Sequence, residues 1–297
     1  MSASLAAADV AVVGGDLRQL AVAEALAGTA GRVRTYGLPV SRDERVQAAG
    51  SLAEALRGAT VVILPIGGIG PDGRVRSLPD QPAVLVDKVF WQALDPGIMI
   101  LAGSMTAAGR QAAAAGGHGL IEYAELDEIA IPNSIPTAEG ALQLAMEEMP
   151  ITIHGCCCFV LGLGRVGMTT ARLFKAVGAE TWVVANRPAL QARAVEMGCR
   201  AIDFGGLLRE IHRADLVINT VPSLVVTGPI LAETKTGVFL IDLASAPGGI
   251  DYQAAEALGR HAKLALGLPG KVAPISAGRI LAAALPALIE RELAKAR

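Results

Sequence analysis

The segment FVLGLGRVG, residues 159–167, constrains the fold of this chain more than any other stretch. An apolar run leads into three glycines spaced as G-x-G-x-x-G, and an amphipathic stretch from Met168 to Gly178 follows directly. Strand, glycine turn and helix in this order predict a dinucleotide site, because the turn brings backbone amides and a helix N-terminus to a pyrophosphate. We therefore expect the turn residues to bind a cofactor: Gly162, Leu163, Gly164, Arg165, Val166 and Gly167.

The end of the next predicted strand, Thr181 to Ala185, favours NADP over NAD. An NAD site usually carries an Asp or Glu about 20 residues after the turn, where it binds the ribose hydroxyls. Here the strand is followed by Asn186 and Arg187 instead. A guanidinium group is a planar cationic donor that suits a 2′-phosphate, so we predict that both residues bind NADP. The alternative is an ordinary surface arginine at a strand end.

The length and charge of the chain limit its architecture and its partners. With 297 residues it is long enough for two domains, each with its own core. The formal net charge of −2 and the pI near 6.1 give no electrostatic reason to expect binding to nucleic acid or to an anionic membrane.

The apolar content raises the question of a membrane span, since hydrophobic residues make up 52% of the chain and the mean hydropathy is +0.46. The longest uncharged run, Leu216 to Ala232, contains Asn219 and two prolines, which predicts a buried strand and a loop. We therefore expect no transmembrane helix. The first residues, MSASLAAAD, lack a basic region, so we also expect no signal peptide.

The cysteines and histidines do not form a metal-binding pattern. Three cysteines are consecutive, at positions 156–158, and Cys199 stands alone, which suits neither a C-x-x-C pair nor a disulfide framework. The histidines lie far apart and form no H-E-x-x-H motif: His118, His154, His212 and His261. We expect buried thiols in a reducing cytoplasm and no metal site.

Alternating strands and helices in the first half predict an α/β domain. A strand at Val10–Val13, a turn at residues 14–16 and a helix from Leu17 open the chain, and the alternation continues to Ala115 with further strands at residues 32–36, 60–64 and 98–101. This pattern predicts a mostly parallel, doubly wound sheet. The turn GGDLRQ is not expected to be a second cofactor site, because its third glycine is missing and Asp16 would repel a phosphate. We assign this half to the substrate.

The segment between the halves, residues 131–149, predicts a helix that joins two domains. Pro136 disfavours helix at Ile135, Thr137 can cap the next turn, and Glu139 lies where a helix N-terminus favours a carboxylate. We expect Asn133 and Ser134 at the mouth of a cleft between the domains.

The second half continues as a Rossmann unit, with two later strands that end in polar residues, Leu216–Thr220 and Val238–Asp242. Ligands of open α/β sheets bind at the carboxyl ends of the strands. Residues at these two ends are therefore candidates for the nicotinamide pocket, with ordinary turn residues as the alternative: Asn219, Thr220, Val221, Pro222, Asp242, Leu243, Ala244 and Ser245.

The last segments complete the predicted architecture. Gly267 to Pro274 is too rich in Gly and Pro for a helix and predicts a loop, and a final helix from Ser276 has enough apolar surface to pack on the first domain. The fold class is α/β, with two doubly wound parallel-sheet domains, the second a Rossmann NADP-binding domain. The expected boundaries are residues 1–136 for the substrate domain, 137–150 for the interdomain helix, 151–275 for the Rossmann domain and 276–297 for the C-terminal helix.

Motifs along nearly the full length resemble the A subunit of dipicolinate synthase. The order NSIPT-EG, then DLAS-PGG, then GLPG-VAP is specific, whereas GRVGMT is shared with many dehydrogenases. The resemblance implies NADP-dependent oxidation of dihydrodipicolinate to dipicolinate, with the flavoprotein-like B subunit of dipicolinate synthase as partner, in the mother-cell cytoplasm of a sporulating bacterium. The family usually has an apolar residue where Lys271 stands, so Lys271 is not carried over as a family ligand.

A dicarboxylate substrate needs cations and polar groups around it. Arg18, at the start of the first helix, is the first candidate, and the others are Asn133, Ser134, Thr137, Lys271 and Arg279. Loss of hydride from a dihydropyridine gives an aromatic ring, so the reaction needs positioning more than a strong base. The proton-acceptor candidates are His154, which the TIHG resemblance highlights, Glu139 and Asp16, and Asp16 can alternatively orient Arg18. For His154 the alternative is a structural role beside a strand.

Three functions remain open from the sequence. We favour the NADP oxidoreductase that acts on a pyridine-type dicarboxylate. Another two-domain dehydrogenase, of the shikimate or hydroxyacid type, would reduce NADP with a different substrate. A non-catalytic nucleotide-sensing subunit would bind the cofactor without turnover, but the intact glycine turn and the polar strand ends argue against it. We also expect a homo-oligomer.

Overall fold

In a computed structural model, which describes residues 4–295, the backbone forms two units. We refer to residues 4–132 with 273–295 as the first unit and to residues 133–272 as the second unit. Residues 1–3 of the predicted substrate domain and residues 296–297 of the predicted final helix lie outside the described residues.

The first unit alternates short strands and helices up to residue 122 and then enters a long helix, α5, that continues into the second unit. Its elements are β1 (Asp9–Val13), α1 (Leu17–Ala27), β2 (Arg32–Tyr36), β3 (Val46–Ala48), α2 (Leu52–Leu56), β4 (Val61–Ile63), β5 (Arg74–Val75), β6 (Val84–Leu85), α3 (Lys88–Gln92), β7 (Met99–Ala102), α4 (Ala107–Ala115), β8 (Gly119–Glu122) and α5 (Asp127–Glu148).

The second unit repeats this alternation, and the last helix of the chain belongs to the first unit again. The remaining elements are β9 (Cys157–Leu161), α6 (Arg165–Ala176), β10 (Glu180–Val184), α7 (Pro188–Glu196), β11 (Arg200–Ile202), α8 (Phe204–Glu210), β12 (Leu216–Asn219), α9 (Gly228–Ala232), β13 (Phe239–Asp242), α10 (Tyr252–Ala257), β14 (His261–Leu264), α11 (Leu268–Val272) and α12 (Pro274–Lys295).

Each unit is built on one six-stranded sheet in which every neighbouring pair is parallel. The strand order is β3-β2-β1-β4-β7-β8 in the first unit and β11-β10-β9-β12-β13-β14 in the second. Both orders are the doubly wound arrangement, in which the first strand of the sheet lies between the second and the fourth. The prediction of two doubly wound parallel-sheet domains is confirmed.

Central strands are apolar on both faces because helices cover both sides of each sheet. Val10 and Val12 of β1 pack with residues of α1 and α12, whereas Ala11 and Val13 pack with residues of α2 and α3. In β9 all five side chains are buried. Helix α12 packs along α1, so the C-terminal helix returns to the first unit as predicted.

The strands that sequence analysis missed are the edge strands of both sheets, β3, β8, β11 and β14. The sequence predicted the four central strands of each sheet, because a run buried on both faces is continuously apolar. An edge strand is partly exposed and carries fewer apolar residues, as in β3, where only Val46 is buried. The hairpin of β5 and β6 was also missed, because its two strands have only two residues each.

The four cysteines are free and buried, as predicted. Burial raises the pKa of each thiol, and for Cys156 the pKa rises to about 11. These side chains act as small apolar groups. Cys157 lies in one hydrophobic core of the second unit, and Cys156, Cys158 and Cys199 lie in the other.

The long helix α5 corrects the predicted start of the interdomain helix. It begins at Asp127, ten residues before position 137, and continues through Pro132 and Pro136. The local preference of a residue before proline is therefore overridden by packing, since Pro136, Ala138 and the following inward positions are buried.

The segment from Gly267 to Pro274 is also not the predicted loop, because residues 268–272 form the short helix α11. Leu268 is buried in the core of the second unit and lies against Gly140 of α5, where a side-chain carbon on the glycine would approach to 2.9 Å. Helix α12 begins at Pro274, a residue type that suits the first turn of a helix because it has no N–H to leave unpaired.

Candidate functional site

The glycine turn of the second unit connects β9 to α6. Gly162 has φ +88°, a backbone conformation that favours glycine, and a side-chain carbon on Gly167 would collide with the carbonyl oxygen of Gly162. Around Gly164, in contrast, no atom of residues 4–295 apart from its chain neighbours lies within 4 Å of where a side-chain carbon would stand. The turn therefore packs tightly at its first and third glycines and faces open space at its second.

Helix α6 begins next to this open space without a side-chain cap. Gly164 is its N-cap residue and has no side chain to cap the N–H groups of the first turn. These N–H groups and the helix dipole favour an anion at this end of α6. Leu163 is itself buried in the core and Val166 is half-buried, so these two residues offer backbone groups to a ligand.

The sheet order brings the carboxyl ends of β10 and β12 to either side of this turn. Thr220, just after β12, donates a hydrogen bond from Oγ1 to the carbonyl oxygen of Leu161 at 2.8 Å. Its Oγ1 also lies 2.7 Å from where a side-chain carbon on Gly162 would stand. Thr220 thus ties the end of β12 to the glycine turn, and Val221 and Pro222 follow at the surface of the unit.

Asp242 and Asn219 stabilise the loops at this edge and are fully buried. The Asp242 carboxylate accepts hydrogen bonds from Asn219 Nδ2 at 2.8 Å, from the Ala244 and Gly249 backbone N–H groups at 3.1 and 2.7 Å, and from the Tyr252 hydroxyl at 3.0 Å. Asn219 also donates to the Val221 carbonyl oxygen and accepts from its N–H, so both side chains are engaged within the fold, which argues against the prediction that they line the nicotinamide pocket.

The residues after Asp242 differ in their accessibility: Leu243 is half-buried, Ala244 is buried and Ser245 is exposed. Tyr252 was missed by sequence analysis, since no pattern links it to a carboxylate ten positions earlier. Burial raises the pKa of its hydroxyl, as do the charge and hydrogen bond of Asp242, so this hydroxyl stays protonated and donates.

The end of β10 presents the two residues predicted to distinguish NADP from NAD. Asn186 accepts a hydrogen bond from the Phe204 backbone N–H at 3.2 Å, so its side chain is fixed against the start of α8. Arg187 is exposed at the N-terminus of α7, and it has no hydrogen-bond or ion-pair partner among the residues that the structure describes. Its guanidinium group is therefore available to an anionic ligand.

His154, a predicted candidate for the proton acceptor, lies far from the glycine turn. It precedes β9, whereas the glycine turn follows β9, and a strand of this length spans roughly 16 Å. Its ring packs against Gly178, in the connection from α6 to β10, at the same amino edge of the sheet. This position, at the edge of the sheet opposite the glycine turn, favours the structural role that was its alternative.

Three predicted polar residues of α5 have surroundings that differ from those expected from the sequence. Ser134 is buried and shares a hydrogen bond of 2.6 Å with Thr169 of α6, so it is not at an accessible surface. Thr137 does not cap the helix, because its Oγ1 donates to the Asn133 carbonyl oxygen in mid-helix. Glu139 is exposed, but it lies in the middle of α5 rather than at an N-terminus.

In the first unit, Asp16 and Arg18 lie at the carboxyl end of β1, where Asp16 caps α1. Arg18 donates from Nε at 2.9 Å and from Nη2 at 2.8 Å to the Asp16 carboxylate. Burial alone would raise the pKa of Asp16, but Arg18 and the charge of Arg76 outweigh it and hold the pKa below its ordinary value. Asp16 is thus the residue that orients Arg18, and its carboxylate remains ionised.

The part of the chain that the structure describes contains neither a metal-binding cluster nor a helix that could span a membrane. Within residues 4–295, no group of three or more His, Cys, Asp or Glu side chains is arranged to hold a metal ion. None of the helices in that range combines the length and the apolar character needed to cross a bilayer.

Comparison with known proteins decides the family. The chain is 36% identical over 282 residues to the A subunit of dipicolinate synthase from Bacillus subtilis (strain 168), which covers 94% of this chain and 95% of the relative. The chain belongs to the dipicolinate synthase A-subunit family. The family model for the N-terminal domain of the dipicolinate synthase A subunit matches residues 9–124, which lie in the first unit.

Solved structures agree with this membership. The crystal structure of the dipicolinate synthase A subunit from Bacillus halodurans superposes with a TM-score of 0.88 at 37% identity, over 94% of this chain and 97% of that chain. A transhydrogenase from Sinorhizobium meliloti superposes with a TM-score of 0.67 at 17% identity, over 96% and 94% of the two chains, which shows the fold alone. Membership of the dipicolinate synthase A-subunit family, together with this dehydrogenase-like fold, supports an oxidoreductase of the NAD(P) type.

Two further cationic residues that were predicted to bind the substrate, Lys271 and Arg279, lie on different units. Lys271, on α11, is exposed and lines a cavity of about 290 Å³ with Lys263 and Leu268. Arg279, on α12, lines a surface groove with Glu128 and Pro132. Its neighbour Gly278 packs on the backbone of Arg18, so α12 approaches the start of α1 through its backbone rather than through Arg279.

Proposed function

We propose that this member of the dipicolinate synthase A-subunit family oxidises dihydrodipicolinate to dipicolinate with NADP. The observation that carries the proposal is sequence identity over nearly the whole chain to a subunit of dipicolinate synthase, combined with a glycine turn that opens at Gly164. The first unit would bind the dicarboxylate and the second unit the nucleotide.

The residues of the second unit fit a dinucleotide. The space in front of Gly164 and the uncapped N–H groups of α6 would hold the pyrophosphate. Arg187 would bind the 2′-phosphate, because it is an exposed guanidinium without a partner among residues 4–295, with Asn186 fixed beside it.

When bound, NADP supplies the acceptor for the hydride, and the ring also loses one proton, so that dihydrodipicolinate and NADP⁺ give dipicolinate, NADPH and H⁺. Because the product ring is aromatic, the chain has to position the substrate more than to activate it. Arg18 is the residue proposed to bind a carboxylate of the ring, since Asp16 holds its guanidinium in place. The buried network of Asp242 would keep the loops after β12 and β13 in one conformation.

The proposal also covers partner, assembly and location. The relative is named as one lettered subunit of a synthase, which implies a second, and we propose that the partner is the flavoprotein-like B subunit. We further propose a homo-oligomer that works during sporulation in the mother-cell cytoplasm. Coexpression with the partner and size-exclusion chromatography of the complex would test the assembly.

The experiment that tests the activity follows absorbance at the NADPH band with freshly prepared dihydrodipicolinate, with and without the partner subunit. We expect NADPH to form with this substrate and not with shikimate or a small hydroxyacid. Reduction of NADP by one of those compounds would favour a different dehydrogenase. Cofactor binding without turnover, by this chain alone or by the pair, would favour a nucleotide-sensing role.

The NADP assignment is tested separately by Arg187→Asp. We expect this change to weaken NADPH binding about 30-fold, the loss of one charge-assisted pair, and to change NADH binding by less than about threefold. Isothermal titration of both nucleotides measures the difference. The exposed Arg193 of α7, which pairs with Glu196, provides the control Arg193→Asp, for which neither affinity should change. Equal losses for NADPH and NADH in the Arg187 variant would contradict a 2′-phosphate site.

A further inference from the structure

The hairpin of the first unit crosses the carboxyl end of its sheet. We call residues 74–85, which comprise β5, the connecting loop and β6, the strap. Val75 lies against Gly14, where a side-chain carbon on the glycine would stand 2.6 Å from Cγ1 of Val75. Val84 lies in the same way against Gly37, which follows β2. The strap therefore covers the turn after β1, next to the start of α1.

Ser77 of the strap is paired by backbone with Gly15, two residues before Leu17 begins α1. Its hydroxyl oxygen is buried and has no hydrogen-bond partner among the residues that the structure describes. Buried hydroxyl groups are nearly always hydrogen-bonded, so an unpaired one beside a helix start indicates a missing acceptor or donor. A ligand oxygen would supply the partner.

Two arginines act on the Asp16 carboxylate and differ in their pairing. Arg18 has a side chain that is 8% exposed, and its pair with Asp16 uses Nε and Nη2, which leaves Nη1 outside the pair. Arg76, next to Ser77 in the chain, is exposed and has no ion-pair or hydrogen-bond partner within residues 4–295. Its charge nevertheless reaches the Asp16 carboxylate, where it contributes to the lowered pKa.

Asp16, Arg18 and Arg76 together carry one net positive charge, because the Asp16 carboxylate neutralises one of the two arginines. An anionic ligand would complete it. The neighbouring Arg74 is different, since it pairs with Asp72 at 3.7 Å on the exposed side of the strap. The unpaired guanidinium and the unpaired hydroxyl thus belong to adjacent residues of the strap. Ser77 pairs by backbone with Gly15, next to Asp16, and the charge of Arg76 acts on the Asp16 carboxylate.

We infer that Arg76 and Ser77 of the strap, together with Arg18, form a carboxylate-binding subsite for the pyridine dicarboxylate. This inference rests on the proposed function, of which it names the substrate contacts. Arg76 provides a bidentate charged donor, Ser77 donates its hydroxyl hydrogen, and Arg18 contributes the group that its pair leaves free. The strap is then the element that distinguishes this unit from a nucleotide-binding unit and gives it selectivity for a dicarboxylate.

The test measures binding of dipicolinate, the proposed product, to the full chain by isothermal titration in the presence of NADP. We expect Arg76→Ala to raise the dissociation constant for dipicolinate about 20-fold, with Arg76→Lys intermediate and NADP affinity unchanged. Picolinate, which has one carboxylate, should bind the wild type more weakly than dipicolinate does, and Arg76→Ala should remove most of that difference. Arg74→Ala is the matched control on the strap and should leave dipicolinate affinity unchanged.

Ser77→Ala gives a second, independent measurement. It removes an unpaired buried hydroxyl, so the Tm should stay the same or rise, while dipicolinate affinity should fall about fivefold. A lowered Tm with unchanged affinity would assign Ser77 a purely structural role and overturn its part in the subsite. If the wild type binds dipicolinate and forms NADPH but Arg76→Ala binds it equally well, the subsite is wrong and the proposed function stands. If the wild type neither binds dipicolinate nor forms NADPH, both are overturned.

Discussion

The two sheets of this chain have the same strand order, yet the turns after their first strands differ. After β9, the turn opens at Gly164, and α6 begins without a side-chain cap. After β1, the strap covers Gly14, and Asp16 caps α1 with its carboxylate. One topology therefore produces a nucleotide-type turn in one unit and a covered, acid-capped turn in the other. Strand order defines where a ligand can bind, while a few side chains at the turn decide which ligand.

The largest expected effect comes from the covered turn. Gly14→Ala places a side chain at φ +70° and against Val75, so we expect the unfolding free energy to fall by about 3 kcal/mol, roughly half from backbone strain and half from overpacking. Urea unfolding measured by tryptophan fluorescence in a Trp182→Phe background reports on the first unit, because Trp91 is the remaining tryptophan.

Gly58→Ala separates the two causes in the same assay. Gly58 also has a positive φ, at +66°, but apart from its chain neighbours no described residue lies within 4 Å of the position of a side-chain carbon, so this variant carries the backbone strain alone. We expect it to lose about 1–2 kcal/mol. Equal losses for Gly14→Ala and Gly58→Ala would show that the strap does not press on the turn.

The same substitution in the open turn should leave the fold intact and weaken nucleotide binding. Gly164→Ala adds a side chain where no protein atom lies, at φ −80°, so the unfolding free energy should change by less than about 1 kcal/mol. The added methyl group would fill the space proposed for the pyrophosphate and weaken NADP binding about tenfold. Titration with NADP measures the loss, and Gly237→Ala, another unobstructed glycine of the second unit, is the control. Unchanged NADP affinity in Gly164→Ala would place the pyrophosphate elsewhere.

The smallest expected effect is the pH dependence of the acid cap. Because the folded protein lowers the pKa of Asp16 below its ordinary value of 3.8, the ionised carboxylate contributes stability above that value, and the contribution is lost as the pH falls through the lowered pKa. Asp16→Asn keeps a capping side chain but removes the charge. We expect its Tm to be about 2 °C lower than wild type or less at pH 7, and the difference to shrink as the pH falls below 3.8. Differential scanning calorimetry checks this, with the exposed Asp72→Asn as control. A Tm difference that does not depend on pH would mean that the charge of Asp16 is not the cause.

Local sequence determined the features that depend on a few neighbouring residues. The glycine turn of residues 162–167, the central strands of both sheets and the start of α1 follow from apolar runs and glycine turns, so they were predicted within one or two residues. Full-length motif order likewise predicted the family, which the comparison then showed.

Tertiary structure decided which polar side chains remain available to a ligand. Ser134, Asn219 and Asp242 looked like site residues in the sequence, but each is buried and hydrogen-bonded within the fold. Ser77 gave no signal in the sequence, yet it pairs with Gly15 across 62 positions. The physical reason is that hydrogen bonding and burial depend on which segments pack together, whereas backbone preferences act over a few residues. The sequence therefore determined both sheets and the glycine turn, and only the folded chain decided which groups are left to bind a substrate.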